Sequence, residues 1–170
     1  MTKHSIDVIS ILPDMFAALE FGIAGRAIQQ QKISINYWNP RDFCTDAHRT
    51  VDDRPYGGGP GMVMKYQPLK KAITAAKQSQ PTLQHKVVYL SPQGKPVDQA
   101  ALHQFSQQEQ LILLCGRYEG IDQRIIDTEV DEEWSIGDFV VSGAELPAML
   151  LIDGIIRLIP GALGDPRSAE

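Results

Sequence analysis

Several features that mark other protein classes are scarce in this sequence. No run of about 18 apolar residues occurs, which argues against a transmembrane helix. The two cysteines, Cys44 and Cys115, lie too far apart for a metal-binding or redox motif, and the four histidines have no ligand spacing. The first residues also lack the apolar core of a secretory signal. These absences predict a cytoplasmic protein without a zinc site and without contact to a membrane.

Basic residues are also in deficit. The chain has 16 Lys and Arg against 21 Asp and Glu, which gives a formal net charge of −5. Phosphate contacts need cations, so this balance argues mildly against a main nucleic-acid-binding surface, although a small basic patch or a second domain could supply the contacts. With 170 residues and 43% hydrophobic content, the composition fits one globular domain.

Three glycine-bearing loops each lie close behind an apolar run that reads as a strand. They are Ser91-Pro92-Gln93-Gly94, Gly116-Arg117-Tyr118-Glu119-Gly120, and the stretch over residues 135–143. Loops at the carboxyl ends of sheet strands line the ligand crevice in α/β proteins, and glycine lets the backbone approach a ligand closely. The three loops therefore predict a nucleotide-sized pocket built largely from backbone.

Apolar runs and helical spacings alternate along the chain. The pattern predicts strands over residues 6–12, 33–38, 86–90 and 111–115, and helices over residues 13–27, 68–78, 97–105, within 118–128, and over 145–158. This alternation predicts an α/β fold with a mostly parallel sheet flanked by helices. The last helix is apolar nearly all round, which predicts a homodimer with this helix near the interface.

The glycine-rich stretch over residues 56–62 could suggest a phosphate-binding loop. A P-loop needs a preceding strand and a closing Gly-Lys-Ser/Thr, and both are absent here. A structural turn or a flexible substrate loop is therefore favoured. The sequence also contains no dinucleotide-binding glycine fingerprint and no serine-hydrolase elbow.

Three charged positions each have two interpretations. Glu119 either faces a ligand or, with Asp122, charges the first turn of a helix, and the two interpretations are about equal. Arg157 interrupts an apolar helix and needs an anionic partner or a ligand, with a functional role slightly favoured. The acids at residues 131–133 before Trp134 are interpreted as a solvated acidic loop with an anchoring tryptophan.

Four long motifs together resemble the bacterial tRNA (guanine-N1)-methyltransferase family, TrmD, of the SPOUT or α/β-knot superfamily. The motifs occupy residues 51–62, 89–94, 115–122 and 131–138, and the resemblance runs in the same order along essentially the whole chain. Members of this family methylate the guanosine 3′ of the anticodon with S-adenosylmethionine. The resemblance implies a deep C-terminal trefoil knot formed by the three glycine loops, and a homodimer with each active site between two subunits.

The resemblance also implies the site residues. Arg157 would stabilise negative charge on the guanine O6, and Glu119 would be a second catalytic residue. The base would be an aspartate just beyond residue 170, so no residue of this sequence is assigned that role. Magnesium is a further implied cofactor, without an obvious set of carboxylate ligands. The implied S-adenosylmethionine-binding residues are Tyr89, Leu90, Ser91, Pro92, Gly94, Gly116, Tyr118, Ser135, Ile136, Gly137, Asp138, Phe139, Val140, Val141, Gly143 and Pro147.

In domain terms, the resemblance implies a knotted cofactor-binding domain over residues 1–160 and the start of an interdomain linker over residues 161–170. A C-terminal tRNA-binding domain would be absent, so we expect cofactor binding and dimerisation with little or no methylation of tRNA. Phe139 and Ala144 depart from the tyrosine and glycine usual in the family. The competing hypotheses are a nucleotide- or RNA-binding module without catalysis and, less favoured, a phosphoryl-transfer enzyme.

Overall fold

A five-stranded parallel sheet forms the centre of the computed structural model, which describes residues 4–169. In chain order the strands are β1 (Ser5–Ile9), β2 (Ser34–Trp38), β3 (Asp52–Asp53), β4 (Val63–Met64), β5 (His85–Pro96), β6 (Gln110–Leu114) and β7 (Glu132–Ser135). The sheet order is β2-β1-β6-β5-β7, with every neighbouring pair parallel, while β3 and β4 form a separate antiparallel pair. The predicted parallel α/β sheet is confirmed.

Five α-helices flank this sheet. They are α1 (Gly22–Gln29), α2 (Tyr66–Ser79), α3 (Gln99–Ser106), α4 (Gln123–Thr128) and α5 (Glu145–Arg157), with 3-10 turns over Pro13–Glu20, Pro40–Phe43 and Pro166–Ala169. The helix predicted over residues 13–27 is divided at Phe21, whose extended backbone (φ −114°, ψ 161°) separates the 3-10 turn from α1, and α1 then begins at Gly22 with a φ of 64°. Within residues 4–169, no helix combines the length and the apolar character needed to cross a bilayer.

Alternate residues of the central strands pack against opposite helix layers. On β6, Leu111 and Leu113 belong to the core that includes residues of α1, α3 and α5. Ile112 and Leu114 belong to the other core, which includes residues of α2 and α4. This two-residue period follows from the pleat of the strand, and it explains why β6 is apolar at every position from Leu111 to Leu114 rather than alternating.

The acidic stretch before Trp134 is a strand rather than the predicted solvated loop. Residues of β7 pair with β5 at the edge of the sheet, and Trp134 is buried. Charged residues suit an edge strand because they discourage pairing with other chains. Burial of Glu132 favours its neutral form, but hydrogen bonds from Trp134 Nε1 at 2.8 Å and Lys86 Nζ at 2.9 Å outweigh this effect and lower its pKa.

Candidate functional site

A cavity of about 470 Å³ opens beside the carboxyl ends of β6 and β7 and the middle of β5. All three glycine-bearing loops contribute to its wall, as expected from their positions after parallel strands. The volume lies within the range of about 300–1,000 Å³ that is usual for small-molecule sites. The predicted convergence of the loops is therefore confirmed.

Most of the sequence-predicted site residues line this cavity, and three do not. Gly94 borders a neighbouring hollow, Asp138 is exposed outside the lining, and Arg157 lies at the end of α5. Arg157 donates to the backbone carbonyl of Ser168 at 2.8 Å, so its observed partner is a peptide oxygen rather than an anion. The predicted residues in the lining are Tyr89, Leu90, Ser91, Pro92, Gly116, Tyr118, Glu119, Ser135, Ile136, Gly137, Phe139, Val140, Val141, Gly143 and Pro147.

The first loop is a bulge inside β5 rather than a separate connection. Leu90 and Lys95 both pair with Trp134, so the four residues between them leave the ladder. Gly94 permits this arrangement, because a Cβ there would lie 2.4 Å from the backbone nitrogen of Trp134. The close approach of two backbones leaves residues 91–93 free to form one wall of the cavity.

The second loop is fixed by backbone hydrogen bonds to the segment around β4. Glu119 N donates to the carbonyl of Met62 at 2.9 Å, and Met64 N donates to the carbonyl of Gly120 at 2.9 Å. Tyr118 has a φ of 61°, a strained left-handed conformation for a residue with a side chain. Such strain concentrates at functional sites, and this residue lines the cavity.

The structure separates the two interpretations of the acids in this region. Asp122 caps the N-terminus of α4 and its carboxylate accepts a hydrogen bond from Arg124 N at 2.9 Å. Glu119 lies outside the helix, is exposed and lines the cavity. Asp122 therefore has the helix-capping role, while Glu119 is placed to meet a ligand.

The glycine-rich stretch is a turn between β3 and β4. Its glycines include several with positive φ, and the chain continues into a short strand rather than directly into a helix. Gly61 lies against the Glu119 side chain, since a Cβ at that position would be 2.5 Å from Glu119 Cγ. The stretch is therefore a turn and not a P-loop, as expected, and its far end supports the second loop.

The third loop packs back onto the second. Ser135 Oγ donates to the carbonyl of Gly137 at 2.8 Å, and Ala144 N donates to the carbonyl of Gly116 at 3.1 Å. The Phe139 ring covers Gly137, where a Cβ would lie 2.3 Å from the ring, and Val140 beside it is 83% exposed. The loop thus presents an apolar edge at the cavity mouth.

A buried ion pair joins the second loop to the start of α5. Arg117 Nε donates to Glu145 Oε1 at 2.6 Å, and Ser10 Oγ donates to Glu145 Oε2 at 2.8 Å. The Glu145 side chain is 0% exposed, whereas Arg117 retains 22% and lines the cavity. A carboxylate this deeply buried needs such partners, because an unpaired buried charge is strongly unfavourable.

Burial also changes the chemistry of two neighbouring residues. Burial, with the Glu133 carboxylate adding to the effect, raises the pKa of Tyr89 to about 12, so the cavity holds a neutral phenol at ordinary pH. Burial and the nearby Glu145 charge raise the pKa of the Cys115 thiol well above its ordinary value. Cys115 is thus a free, buried thiol of low reactivity.

The comparisons with known proteins identify the family. The family model described as tRNA (Guanine-1)-methyltransferase TrmD matches residues 4–170. The chain belongs to this family. It is 59% identical over 166 residues to a tRNA (guanine-N(1)-)-methyltransferase of Photobacterium profundum, and 60% identical over 166 residues to one of Tolumonas auensis. Each alignment covers 97% of this chain but 66% of the relative, so the chain spans just under two thirds of their length.

The fold agrees with a solved structure of the same family. The crystal structure of tRNA (m1G37) methyltransferase from Aquifex aeolicus has a TM-score of 0.87 and 34% sequence identity with this chain. The match covers 97% of this chain and 74% of that one. Family membership and the observed parallel sheet therefore confirm the predicted family and the predicted α/β fold with a parallel sheet, while the trefoil knot stays a prediction.

Sequence reasoning missed several cavity residues of this TrmD-family chain, above all Arg117, and it also missed Glu145, the buried partner of Arg117 behind the lining. A signal was available, because Arg117 stands between two glycines in a loop predicted to line a pocket. Glu145 could not be found in this way, since its role depends on how α5 packs beside Ser10 and Arg117. No group of three or more His, Cys, Asp and Glu residues able to hold a metal occurs in the part of the chain that the structure describes.

Proposed function

We propose that this chain transfers a methyl group from S-adenosylmethionine to N1 of the guanosine 3′ of the anticodon in tRNA. The observation that carries the proposal is the cavity formed by three glycine-bearing loops in a chain of the TrmD family. Relatives of this chain are named tRNA (guanine-N(1)-)-methyltransferases, and the solved neighbour is a tRNA (m1G37) methyltransferase.

The lining suits S-adenosylmethionine in shape and charge. Leu90, Ile136 and Pro147 provide apolar wall for an adenine ring, and the glycine-bearing loops bring backbone groups close. Glu119 and Glu133 supply negative charge for a cationic ligand. When bound, S-adenosylmethionine would supply an electrophilic methyl group. The lining residues predicted from the family would hold it, with Gly94 shaping the first loop from outside the lining.

The guanine must lose its N1 proton before N1 can act as a nucleophile. A carboxylate base would accept this proton, and a cation would stabilise the negative charge that develops toward O6. We propose Arg157 as this cation and Glu119 as a second catalytic residue, and we assign the base to no residue of this sequence. Because Arg157 lies outside the cavity lining of its own chain, the proposal requires it to reach a site on a second copy.

The homodimer is the second part of the proposal. On α5, Leu146 is 59% exposed and Leu150 is 64% exposed, and the apolar edge of the third loop lies before the same helix. Exposed apolar side chains of this size mark interaction surfaces when they lie together. A two-fold dimer over this surface would place each active site between two subunits.

The domain assignments extend this proposal. Residues 1–160 would form the knotted cofactor-binding domain, with residues 161–170 beginning a linker. The net charge of −5 agrees with tRNA contacts made largely by parts of the relatives that this chain does not span. A tRNA-modifying role would place the protein in the cytoplasm. Magnesium does not fit the residues between 4 and 169, which include no group of three or more His, Cys, Asp and Glu able to hold it.

Calorimetric titration with S-adenosylmethionine tests the proposal, with ATP and NAD as controls. We expect saturable binding near one cofactor per chain and none of either control. Methyl transfer is then measured on a tRNA transcript with guanosine 3′ of the anticodon and on one with adenosine there. We expect weak transfer to the first by these 170 residues and none to the second. A folded chain that binds ATP but not S-adenosylmethionine would contradict the proposal.

A further inference from the structure

Arg117 is a basic residue of the cavity lining. Among the residues described, Arg117 is the one Lys or Arg in the lining, where it accompanies the carboxylates of Glu119 and Glu133. The mechanism above gives it no role. Arg117 is paired with a fully buried acid, and apolar side chains of similar volume often replace such buried ion pairs without loss of stability. Stability alone therefore does not explain why a cation is present at the cavity.

The Arg117 guanidinium is held in one orientation from three sides. Nε donates to Glu145 Oε1 at 2.6 Å, and Nη2 lies 3.4 Å from the Met15 sulfur. Gly143 leaves room for it, because a Cβ there would lie 2.3 Å from Arg117 Nε. Nη1 donates to none of the residues between 4 and 169, so this group retains donor capacity for a ligand.

We propose that Arg117 binds the carboxylate at the methionine end of S-adenosylmethionine, with Glu145 and Gly143 as the residues that position it. This inference rests on the function proposed above. S-adenosylmethionine carries a sulfonium and an ammonium, which the carboxylates Glu119 and Glu133 complement, and one carboxylate, for which Arg117 is the available cation. A guanidinium fork matches a carboxylate well, and fixing it before binding reduces the entropy lost on association.

The first test compares two ligands that differ by this carboxylate. Decarboxylated S-adenosylmethionine retains the adenosine, the sulfonium and the amine. By calorimetry we expect the unsubstituted chain to bind S-adenosylmethionine about 10- to 100-fold more tightly, the range of a hydrogen bond to a charged group. Arg117→Gln should abolish most of this preference, with little change for the decarboxylated ligand, and Arg117→Lys should restore part of it.

Arg26→Gln is the matched control, because Arg26 is exposed on α1 and lies outside the cavity lining. This variant should bind both ligands as the unsubstituted chain does. Circular dichroism confirms that each variant is folded. If Arg117→Gln weakens both ligands equally, Arg117 is structural and the inference is overturned while the proposed function stands. If the unsubstituted chain binds neither ligand, both proposals fail.

A double-mutant cycle tests the positioning role of Gly143. Gly143→Ala should reduce the preference for the carboxylate ligand by displacing Arg117. In Arg117→Gln this substitution should have no further effect on the preference, because residues that act through one another are not additive. Additive losses in the double variant would show that the new methyl group acts on the ligand directly, which would overturn the positioning role.

Discussion

The middle of the sheet and the carboxyl ends of its strands are stabilised in different ways. In the middle, fully buried apolar side chains alternate between two cores, and the buried Asp7 carboxylate accepts hydrogen bonds from neutral donors: Ser5 at 3.1 Å, Trp38 at 2.8 Å and Gln110 at 3.0 Å. At the strand ends, the cavity wall is held by loop-to-loop backbone hydrogen bonds and by the Arg117–Glu145 pair.

This difference predicts in which region a substitution should change both cofactor binding and the free energy of unfolding. In the middle, many apolar contacts share the stabilisation, so one polar substitution changes the free energy of unfolding without reshaping the cavity. At the strand ends, few contacts fix each loop. A substitution there should therefore weaken folding and cofactor binding together. Each prediction below tests this division, from the largest expected effect to the smallest.

Glu145→Ala should have the largest effect because it leaves Arg117 without its acidic partner. Breaking a buried pair costs about 3–5 kcal/mol, and the 22% exposure of Arg117 places this case near the lower end, at about 3 kcal/mol. Equilibrium unfolding in urea measures it. Glu145→Gln retains a polar amide in place of the carboxylate, so its loss of unfolding free energy should be smaller than that of Glu145→Ala. A loss below about 1 kcal/mol in Glu145→Ala would show that the pair does not hold the loop.

Gly94→Ala should come next, because its methyl group would meet the backbone of β7. The Cβ would lie 2.4 Å from Trp134 N, and a backbone atom cannot move aside as a flexible side chain can. We expect a loss of about 1–3 kcal/mol in the free energy of unfolding, together with weaker binding of S-adenosylmethionine. Gly164→Ala is the control, since a Cβ there meets nothing within 4 Å. Equal losses in the two variants would contradict the close approach.

The same division explains how much the sequence could predict. The central strands were found because their apolar runs reflect burial on both faces, and the glycine loops were found because they follow those runs. The strand β7 was missed because its charged residues suit an edge position and mimic a solvated loop. The resemblance to the family added the site residues, most of which line the cavity.

Other features of the fold and of the site could not be predicted from the local sequence pattern. Glu145 reads as the first residue of an apolar helix, and only the packing of α5 beside Ser10 and Arg117 makes it a buried acid. The break at Phe21 depends on backbone conformation rather than on hydrophobic spacing. Gly94 and Asp138 belong to the family motifs, yet they lie outside the lining because one faces a neighbouring backbone and the other faces solvent.

Tyr89 joins the two regions, since it is a buried strand residue whose side chain lines the cavity. The pKa of Tyr89 is about 12 in the folded chain against an ordinary 10.0. The phenol therefore stays neutral in the folded state at pH values where it ionises in the unfolded state. The stabilisation from the neutral phenol is fully present below about pH 10 and is lost as the pH rises toward about 12. We expect the unsubstituted chain to lose about 1–2 kcal/mol more than Tyr89→Phe between about pH 9 and pH 11.5. Urea unfolding at both pH values measures this difference. If the unsubstituted chain and Tyr89→Phe lose the same free energy of unfolding between the two pH values, the raised pKa of Tyr89 is contradicted.

Asp7→Asn should have the smallest effect and should leave the cavity unchanged. The amide oxygen can still accept from Trp38 Nε1, and the substitution removes a buried charge, but the amide nitrogen would face Gln110 Nε2, which is also a donor. Gln110 Oε1 already lacks a hydrogen-bond partner within residues 4–169. Rotating the Gln110 amide would not relieve the clash of donors, because it would bring this oxygen toward the Ala76 carbonyl, which is also an acceptor. We therefore expect a loss of about 1 kcal/mol in the free energy of unfolding. The affinity for S-adenosylmethionine should stay within about twofold, because the affected groups lie away from the cavity lining. A larger loss of affinity than of stability would show that the middle of the sheet and the strand ends are not independent.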